Sequence, residues 1–320
     1  MFPEERTQSN LRPSSRHYAA FGLSICSEVP LPDLYLAASD GAPADVTITI
    51  GTVPAGADKA AGDFTAYGDT ALLSIAGVGR YWMARGREII VEPAPGASDR
   101  NLRLYLLGSA FGAILHQRGI LPLHANAVEI GGNAVAFSGH SGAGKSTLAA
   151  WFHDRGYRVI SDDVCAITMN ASGLPVVQGG LPRLRLWRDA LNASGRAVEG
   201  FDQSYDGADK YDVPTRSGST AGGVALAAVY LLGRGEGSFS EQGVQRLRGI
   251  EAIDALVANT YRGAFAREMD QARQNLEACL AVMRSVPIFK ADRTWGFEAF
   301  ELQARALERH ALSVCRRAQR

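Results

Sequence analysis

Several features that define common protein classes are scarce or missing in this chain of 320 residues. The four cysteines are widely spaced and form no C-x-x-C pair, which argues against a disulfide framework or zinc site and fits a reducing compartment. The formal net charge is zero, so the charge balance indicates neither nucleic acid nor a membrane surface as a partner. The longest apolar run, residues 224–232, is too short to cross a membrane as a helix.

The composition is that of an ordinary soluble protein, with 46% hydrophobic and 21% charged residues. Residues 1–6 lack the basic-then-apolar order of a signal peptide, so we expect a cytoplasmic protein without a membrane segment. The length allows one large core or two domains. The sequence does not determine the oligomeric state, and a homo-oligomer is one of the options.

Lysine is also rare, with only four in the chain, and one of them completes a phosphate-binding motif. Residues 139–146, Gly-His-Ser-Gly-Ala-Gly-Lys-Ser, fit the pattern G-x-x-x-x-G-K-[ST] at every fixed position. An apolar run at 134–137 precedes the motif and a helical segment at 147–155 follows it, which is the strand–loop–helix context that the motif requires. The glycines let backbone N–H groups turn toward one anion, and the helix N-terminus adds partial positive charge.

The motif predicts a nucleoside triphosphate and its metal ion, Mg²⁺, as ligands, and we expect the nucleotide of a kinase to be ATP. We expect Lys145 to reach the β- and γ-phosphates and the Ser146 hydroxyl to bind Mg²⁺. The expected nucleotide contacts are the whole loop and the residue that follows it: Gly139, His140, Ser141, Gly142, Ala143, Gly144, Lys145, Ser146 and Thr147.

Two adjacent carboxylates follow the motif at an informative spacing. Asp162 comes 17 residues after Lys145, with one helix and one strand predicted between them. A helix over 146–155 is roughly 15 Å long and a strand over 157–161 spans about 17 Å, so the two lengths nearly cancel. Asp162 and Asp163 therefore return to the level of the phosphate loop, at the carboxyl end of a strand, where open α/β sheets bind ligands. One carboxylate can hold the metal while the other accepts a proton from an attacking hydroxyl.

The chain as a whole divides into three predicted segments. Residues 1–17 are expected to be frayed, residues 18–97 form a β-rich N-terminal module, and residues 98–320 form the catalytic domain. Apolar alternation between turn residues predicts the strands, and helical spacing predicts the helices. The predicted strands are 45–50, 70–75, 80–84, 88–92, 121–130, 133–138, 164–168, 184–187, 224–232 and 286–290. The predicted helices are 99–117, 188–193, 250–261, 271–284 and 297–310, and residues 199–219 are predicted to form a mobile polar loop.

These motifs resemble the catalytic domain of the HPr kinase/phosphorylase family. The resemblance rests on Leu123-His124-Ala125, the glycine hairpin at 131–132, the loop at 139–146, Arg155-Gly156-Tyr157 and Ser161-Asp162-Asp163. It implies an α/β fold of α+β character, with the P-loop on a mixed-sheet core like that of ATP-dependent phosphoenolpyruvate carboxykinases. It also implies that Asp162 is the catalytic base toward a serine hydroxyl, that Asp163 supports the metal site with Ser146, and that His124 lies beside the phosphates. A core histidine is the alternative interpretation of His124.

The layout of the whole chain is similar to the HPr-kinase-like proteins of lasso-peptide gene clusters. This second resemblance rests on residues 18–23, 184–187, 210–214, 259–262 and 286–289. It implies phosphorylation of a serine at the C-terminal end of a precursor peptide.

Three basic residues are candidates for the substrate side of the site. Arg183 and Arg185 fall on one face of a predicted strand and could hold a phosphate or a peptide carboxylate in bidentate fashion. Lys210, in a polar segment, could close over the γ-phosphate. A solvated surface position is the alternative for each of them.

We therefore expect a serine kinase that transfers the γ-phosphoryl group of ATP to a peptide or small protein. A bifunctional HPr kinase/phosphorylase is one alternative. Another is a non-catalytic ATP-sensing regulator that binds a partner through the N-terminal module. Because a sensor needs the loop but no catalytic base, Asp162 distinguishes the kinase from the regulator.

Overall fold

The computed structural model of the chain describes residues 15–38, 41–55, 63–215, 222–235, 243–294, 296 and 298–319. Residues 1–14 of the predicted frayed segment, residues 216–219 of the predicted loop and the expected first residue of the last helix, Phe297, lie outside this part. Within it the chain forms three β-sheets and eight α-helices, which confirms the predicted mixed α/β architecture.

The N-terminal part of the chain forms one seven-stranded sheet. Its strands are β1 (Arg16–Ala20), β2 (Leu23–Ser27), β3 (Val46–Ile50), β4 (Phe64–Tyr67), β5 (Thr70–Ile75), β6 (Gly79–Ala84) and β7 (Glu88–Pro93). They lie in the order β1-β2-β3-β7-β6-β5-β4, and β3 pairs in parallel with both of its neighbours. The four strands predicted in this region are all present, as β3, β5, β6 and β7.

A continuous helical segment follows this sheet and packs against it. It consists of α1 (Asp99–Tyr105), a π-helical turn (Leu106–Ala110) and α2 (Phe111–Gln117). The Ser98 hydroxyl caps α1 by accepting a hydrogen bond from a backbone N–H of its first turn. Leu106 and Phe111 are fully buried in the same hydrophobic core as Ile25 and Ile48 of the sheet. The predicted module boundary between residues 97 and 98 therefore crosses one continuous core.

The rest of the chain contributes twelve strands and six helices within the described residues. The strands are β8 (Leu121–Leu123), β9 (Ala125–Ile130), β10 (Asn133–Ser138), β11 (Val159–Ser161), β12 (Cys165–Met169), β13 (Pro175–Val177), β14 (Arg183–Trp187), β15 (Asp202–Gln203), β16 (Lys210–Pro214), β17 (Val224–Arg234), β18 (Val244–Leu247) and β19 (Ile288–Arg293). The helices are α3 (Lys145–Asp154), α4 (Arg188–Ala193), α5 (Gly249–Ala258), α6 (Gly263–Glu268), α7 (Ala272–Ser285) and α8 (Phe300–Ala318), and a 3₁₀ turn lies at Val198–Gly200. None of the helices in the described part is both long and apolar enough to span a membrane.

Nine of these strands form the mixed central sheet. Its path is β11-β9-β10-β17-β13-β12-β8, and β19 pairs with β17 and β18 beside that path. β10, β17 and β19 are parallel neighbours, so their carboxyl ends meet at one edge of the sheet. The predicted strand 121–130 is divided at His124, because β8 pairs with β12 whereas β9 pairs with β10 and β11.

The prediction of a mobile loop over residues 199–219 is wrong for residues 202–214. This segment contains β15 and β16, which form a small sheet with β14 in the order β14-β16-β15. The side chains of Tyr211 and Val213 are buried where β16 pairs with Leu186 and Leu184 of β14. Those apolar contacts hold the otherwise polar segment in place over the phosphate loop region.

Candidate phosphate-loop active site

The predicted motif forms the turn between β10 and α3, at the carboxyl end of a parallel strand. Gly142 and Gly144 have φ values of 83° and 79°, in the left-handed region that glycine adopts without strain. A Cβ atom on Gly139 would lie 2.5 Å from the carbonyl oxygen of Leu232 in β17. The loop therefore requires glycine at these positions, both for its conformation and for its close approach to the neighbouring strand.

Lys145 begins α3 and turns back across the loop. Its Nζ donates hydrogen bonds to the carbonyl oxygens of Gly139 at 2.9 Å and His140 at 3.2 Å. The side chain is buried, and burial lowers the pKa of Lys145, while the Asp163 and Asp162 carboxylates oppose part of that shift. The ammonium group is thus at the floor of the loop, within the field of both carboxylates.

Asp162 lies directly beside the hydroxyl of the motif serine. Ser146 Oγ donates to Asp162 Oδ1 at 3.2 Å, and the backbone N–H of Arg185 donates to Asp162 Oδ2 at 2.7 Å. The Asp162 side chain is buried, and burial raises its pKa, with a further increase from the neighbouring Asp163 carboxylate. Both oxygens of Asp162 are therefore held by groups of the protein.

Asp163 lines the cavity above the loop, as Ser146 does. Its φ of 63° is unusual for a residue with a side chain, and this conformation sends the two adjacent carboxylates in different directions. Asp163 Oδ2 lies 3.5 Å from Arg185 Nη1 and 3.9 Å from Lys210 Nζ. Burial acts to raise the pKa of Asp163. The charges of Lys210 and Arg185 outweigh this effect and hold the pKa below its ordinary value. Ser146 is thus hydrogen-bonded to Asp162, and the role in the metal site that the resemblance implies for Asp163 stays a prediction.

His124 lies in the wall of the same cavity, between β8 and β9. Its ring stacks on Tyr261 with a centroid distance of 5.9 Å and an interplanar angle of 15°. Burial, together with the charge of Lys145, lowers the pKa of His124 to about 4, so the imidazole is neutral near pH 7. The His124 ring therefore lines the site rather than the apolar core. It is uncharged near pH 7.

The cavity that these residues surround has a volume of about 410 Å³. Its charged lining residues include Lys145, Asp163, Arg185 and Lys210. Its apolar and aromatic lining residues come from the β14–α4 segment and the start of α8: Leu186, Trp187, Ala190 and Phe300. A lining of both kinds suits a ligand that carries both phosphates and a planar base.

The structure separates the three predicted substrate residues. Arg185 and Lys210 line the cavity, as described above. Arg183 does not line it, because its buried guanidinium is paired with Asp33 at 3.0 Å and Asp212 at 2.7 Å. This arginine connects β14 to β16 and to the N-terminal part of the chain, and its assignment to substrate binding stays a prediction.

Sequence reasoning missed one basic residue of the cavity. Arg293 is the last residue of β19, and its Nη2 donates to the carbonyl oxygen of Ala143 in the loop at 2.6 Å. The predicted strand stops at residue 290, so Arg293 was not placed at the carboxyl end of a parallel strand. Polar residues at that edge are the signal that would have identified it.

The oxygen ligands that the site offers to a metal include the Ser146 hydroxyl, which is hydrogen-bonded to Asp162, and the cavity-lining carboxylates of Asp163 and Asp189. The described residues contain no group of three His, Cys, Asp or Glu side chains that could hold a metal ion by themselves. Mg²⁺ commonly takes one or two protein carboxylates and fills its remaining positions with water and phosphate oxygens. The oxygen pair of Ser146 and Asp162 fits that pattern.

Comparisons with known proteins add little to this geometry. No protein-family profile matches the sequence, and no curated protein matches it. Among solved structures, the chain is similar to the Hpr(Ser) kinase/phosphatase from Coxiella burnetii, with a TM-score of 0.32 and 13% sequence identity. That match covers 60% of this chain and 91% of the other. At this TM-score the likeness by itself defines neither the fold nor the activity.

Proposed function

We propose that this protein is an ATP-dependent kinase that transfers the γ-phosphoryl group to a serine hydroxyl of a peptide. The observation that carries the proposal is the divergence of the two carboxylates at the phosphate loop. Asp162 is bonded to Ser146, and Asp163 faces the cavity. A loop alone serves any nucleotide-binding protein, whereas a carboxylate on the cavity side serves a reaction in which a hydroxyl loses its proton. This difference favours a kinase over a non-catalytic ATP sensor.

Ser146 and Asp162 are the residues that would hold Mg²⁺. Their oxygens are hard ligands, and the hydrogen bond between them keeps them within reach of one ion. When bound, the ion would neutralise charge on the phosphate oxygens. The loop N–H groups and Lys145 supply further positive charge at the same place.

We assign proton acceptance to Asp163 rather than Asp162. Asp163 lines the cavity, whereas Asp162 is buried against Ser146 and the Arg185 backbone and does not line it. In the proposed step the acceptor oxygen bonds to the γ-phosphorus as the bond to the bridging oxygen breaks. The hydroxyl proton passes to Asp163, and ADP leaves with the electron pair of the broken bond. Lys210 and Arg185, next to Asp163, would orient the acceptor and the transferred group.

The proposed acceptor is the C-terminal serine of a lasso-type precursor peptide, in the cytoplasm. This part of the proposal is supported by the short sequence resemblances described above and by the two cations beside Asp163, which suit an anionic peptide end. Nucleic acid and membrane lipid are not proposed as partners.

A mass measurement tests the proposal. The protein is incubated with Mg·ATP and a serine-ended precursor peptide, and in parallel with HPr. We expect the peptide to gain the mass of one or more phosphoryl groups and HPr to remain unmodified. Phosphate on HPr alone would support the bifunctional HPr kinase/phosphorylase instead. ATP binding without transfer to either acceptor or to other serine peptides would favour the regulator.

A further inference from the structure

Arg293 is a buried cation without a carboxylate partner. Its side chain is 7% exposed, and no acidic side chain in the described part of the chain lies within ion-pairing distance of it. The adjacent Asp292 pairs with Lys290 at 2.7 Å instead. Burial alone lowers the pKa of Arg293 to about 10, which leaves the guanidinium charged near neutral pH. A buried charge of this kind is costly unless something neutralises it.

The guanidinium is held against the phosphate loop. Nη2 donates to the Ala143 carbonyl oxygen, and a Cβ atom on Gly144 would lie only 3.0 Å from the same nitrogen. Glycine at position 144 therefore serves a second purpose, because it leaves room for Arg293 beside the loop. The Nε–H group is also buried and has no hydrogen-bond partner among the described residues. Arg293 thus lines the cavity with a charge that no carboxylate neutralises, and it keeps one buried donor unused.

The other cations of the cavity differ from Arg293 in this respect. Arg185 and Lys210 both lie within 4 Å of Asp163. Lys145 feels the charges of Asp162 and Asp163, which raise its pKa against the effect of burial. Among the described residues that line the cavity, Arg293 therefore carries the positive charge that is left for a bound anion to neutralise.

We propose that Arg293 is a phosphate-binding residue, which completes the loop by donating to the phosphates of a bound nucleoside triphosphate. This inference rests on the proposed function, since it takes a nucleotide as the ligand. Phosphate is favoured over the base, because the guanidinium donates to the Ala143 carbonyl oxygen within the phosphate loop. Planar guanidinium groups bind phosphate oxygens through paired donors, which a lysine cannot reproduce.

The test compares Mg·ATP and inorganic tripolyphosphate as ligands. Affinities are measured by calorimetry for the wild type, Arg293→Met, Arg293→Lys and the control Arg158→Met. Arg158 pairs with Glu129 at the opposite end of β11 from Asp162. We expect Arg293→Met to weaken both ligands by about 10- to 150-fold, because charge-assisted hydrogen bonds are lost. The affinity of Arg293→Lys for both ligands should lie between that of Arg293→Met and that of the wild type. Arg158→Met should bind both ligands as tightly as the wild type does.

Melting of the ligand-free proteins separates phosphate binding from a structural role. Replacing an unneutralised buried charge with an apolar side chain is neutral or stabilising, so ligand-free Arg293→Met should melt no lower than the wild type. A lower melting temperature with unchanged affinity would identify Arg293 as a brace for the loop and overturn the inference. Weaker binding of ATP with normal binding of tripolyphosphate would assign Arg293 to the nucleoside and also overturn it.

The two proposals fail in different ways. If the wild type binds Mg·ATP, and Arg293→Met binds Mg·ATP and tripolyphosphate as tightly as the wild type does, only the inference about Arg293 is overturned. If the wild type binds neither Mg·ATP nor tripolyphosphate, the proposed function is overturned, and the inference falls with it. Should Arg293→Met fail to fold, Arg293→Lys and Arg293→Gln provide the same comparison.

Discussion

The Ser146 hydroxyl lies 3.2 Å from Oδ1 of Asp162, so one hydrogen bond joins the phosphate loop to the end of β11. The other oxygen of the same carboxylate accepts from the Arg185 backbone at the centre of β14. Asp162 is therefore the point at which the loop, the central sheet and the small sheet meet. A substitution of Asp162 would therefore disturb both the phosphate loop and β14.

Asp163→Asn should separate nucleotide binding from phosphoryl transfer. The asparagine amide cannot accept the acceptor's proton, so we expect the transfer rate to fall by about 10²- to 10⁴-fold while Mg·ATP affinity stays close to that of the wild type. The check is a single-turnover transfer assay beside calorimetric titration. Asp189→Asn, in the same cavity, is the matched control and should transfer normally. Full transfer by Asp163→Asn would contradict the assignment of the base.

Asp162→Asn should mainly weaken the binding of Mg²⁺. A neutral amide beside Ser146 would hold Mg²⁺ more weakly, and we expect the Mg²⁺ concentration that supports half-maximal ATP binding to rise by about 10- to 100-fold. ATP titrations at several Mg²⁺ concentrations measure this change. If binding is unaffected but transfer is lost, Asp162 is the base, as the sequence resemblance implies, and our exchange of roles is wrong.

His124 should make the stability of the protein depend on pH. Its pKa falls from 6.5 to about 4 on folding, so the unfolded chain binds more protons between those values. The stability gained by keeping the imidazole neutral is fully present above pH 6.5 and is lost as the pH falls toward 4. We expect the wild type to lose about 1–2 kcal/mol more than His124→Gln in unfolding free energy between pH 7 and pH 5.

Urea unfolding at the two pH values provides the measurement for His124. His17→Gln, in β1 and outside the cavity, serves as the control and should follow the wild type. An equal loss in the wild type and in His124→Gln would show that burial of this histidine has no influence on stability.

Phe137 should be one of the most costly core residues to truncate. It is fully buried in β10 just before the loop, with the rings of Phe152 and Tyr230 at centroid distances of 5.5 and 5.4 Å. Phe137→Ala should lower the free energy of unfolding by about 3–5 kcal/mol, since it leaves a cavity between packed rings. Leu302→Ala, at a side chain 72% exposed, should change it by less than about 0.5 kcal/mol. Chemical denaturation of both variants tests this contrast.

The local patterns around the phosphate loop were sufficient to predict most of its geometry. The motif at 139–146 predicts a strand, a turn and a helix, because this spacing of glycines and lysine is typical of a phosphate-binding loop between a strand and a helix. The spacing to Asp162 and Asp163 follows from the rise per residue of a helix and of a strand. What the spacing could not give is which carboxylate meets Ser146, because that depends on the left-handed backbone of Asp163.

Contacts between residues that are far apart along the chain could not be predicted from the sequence. Alternation correctly places Arg183 and Arg185 on one face of β14, but the partner of Arg183 in the N-terminal part, Asp33, is 150 residues away along the chain. The strands of residues 202–214 were missed for a similar reason. Only Tyr211 and Val213 mark the buried face of β16, and two apolar residues in a polar segment are too few for a periodic pattern.

The scarcity of lysine has a practical consequence for this cavity. Lys145 and Lys210, two of the four lysines in the chain, line the cavity together, while the Lys290 side chain is about half exposed and Lys59 lies outside the described residues. Amine-directed reagents therefore have very few targets in the molecule. Protection of Lys210 from acylation, read from its peptide in a mass spectrum, would report ligand occupancy of the cavity before any acceptor is known.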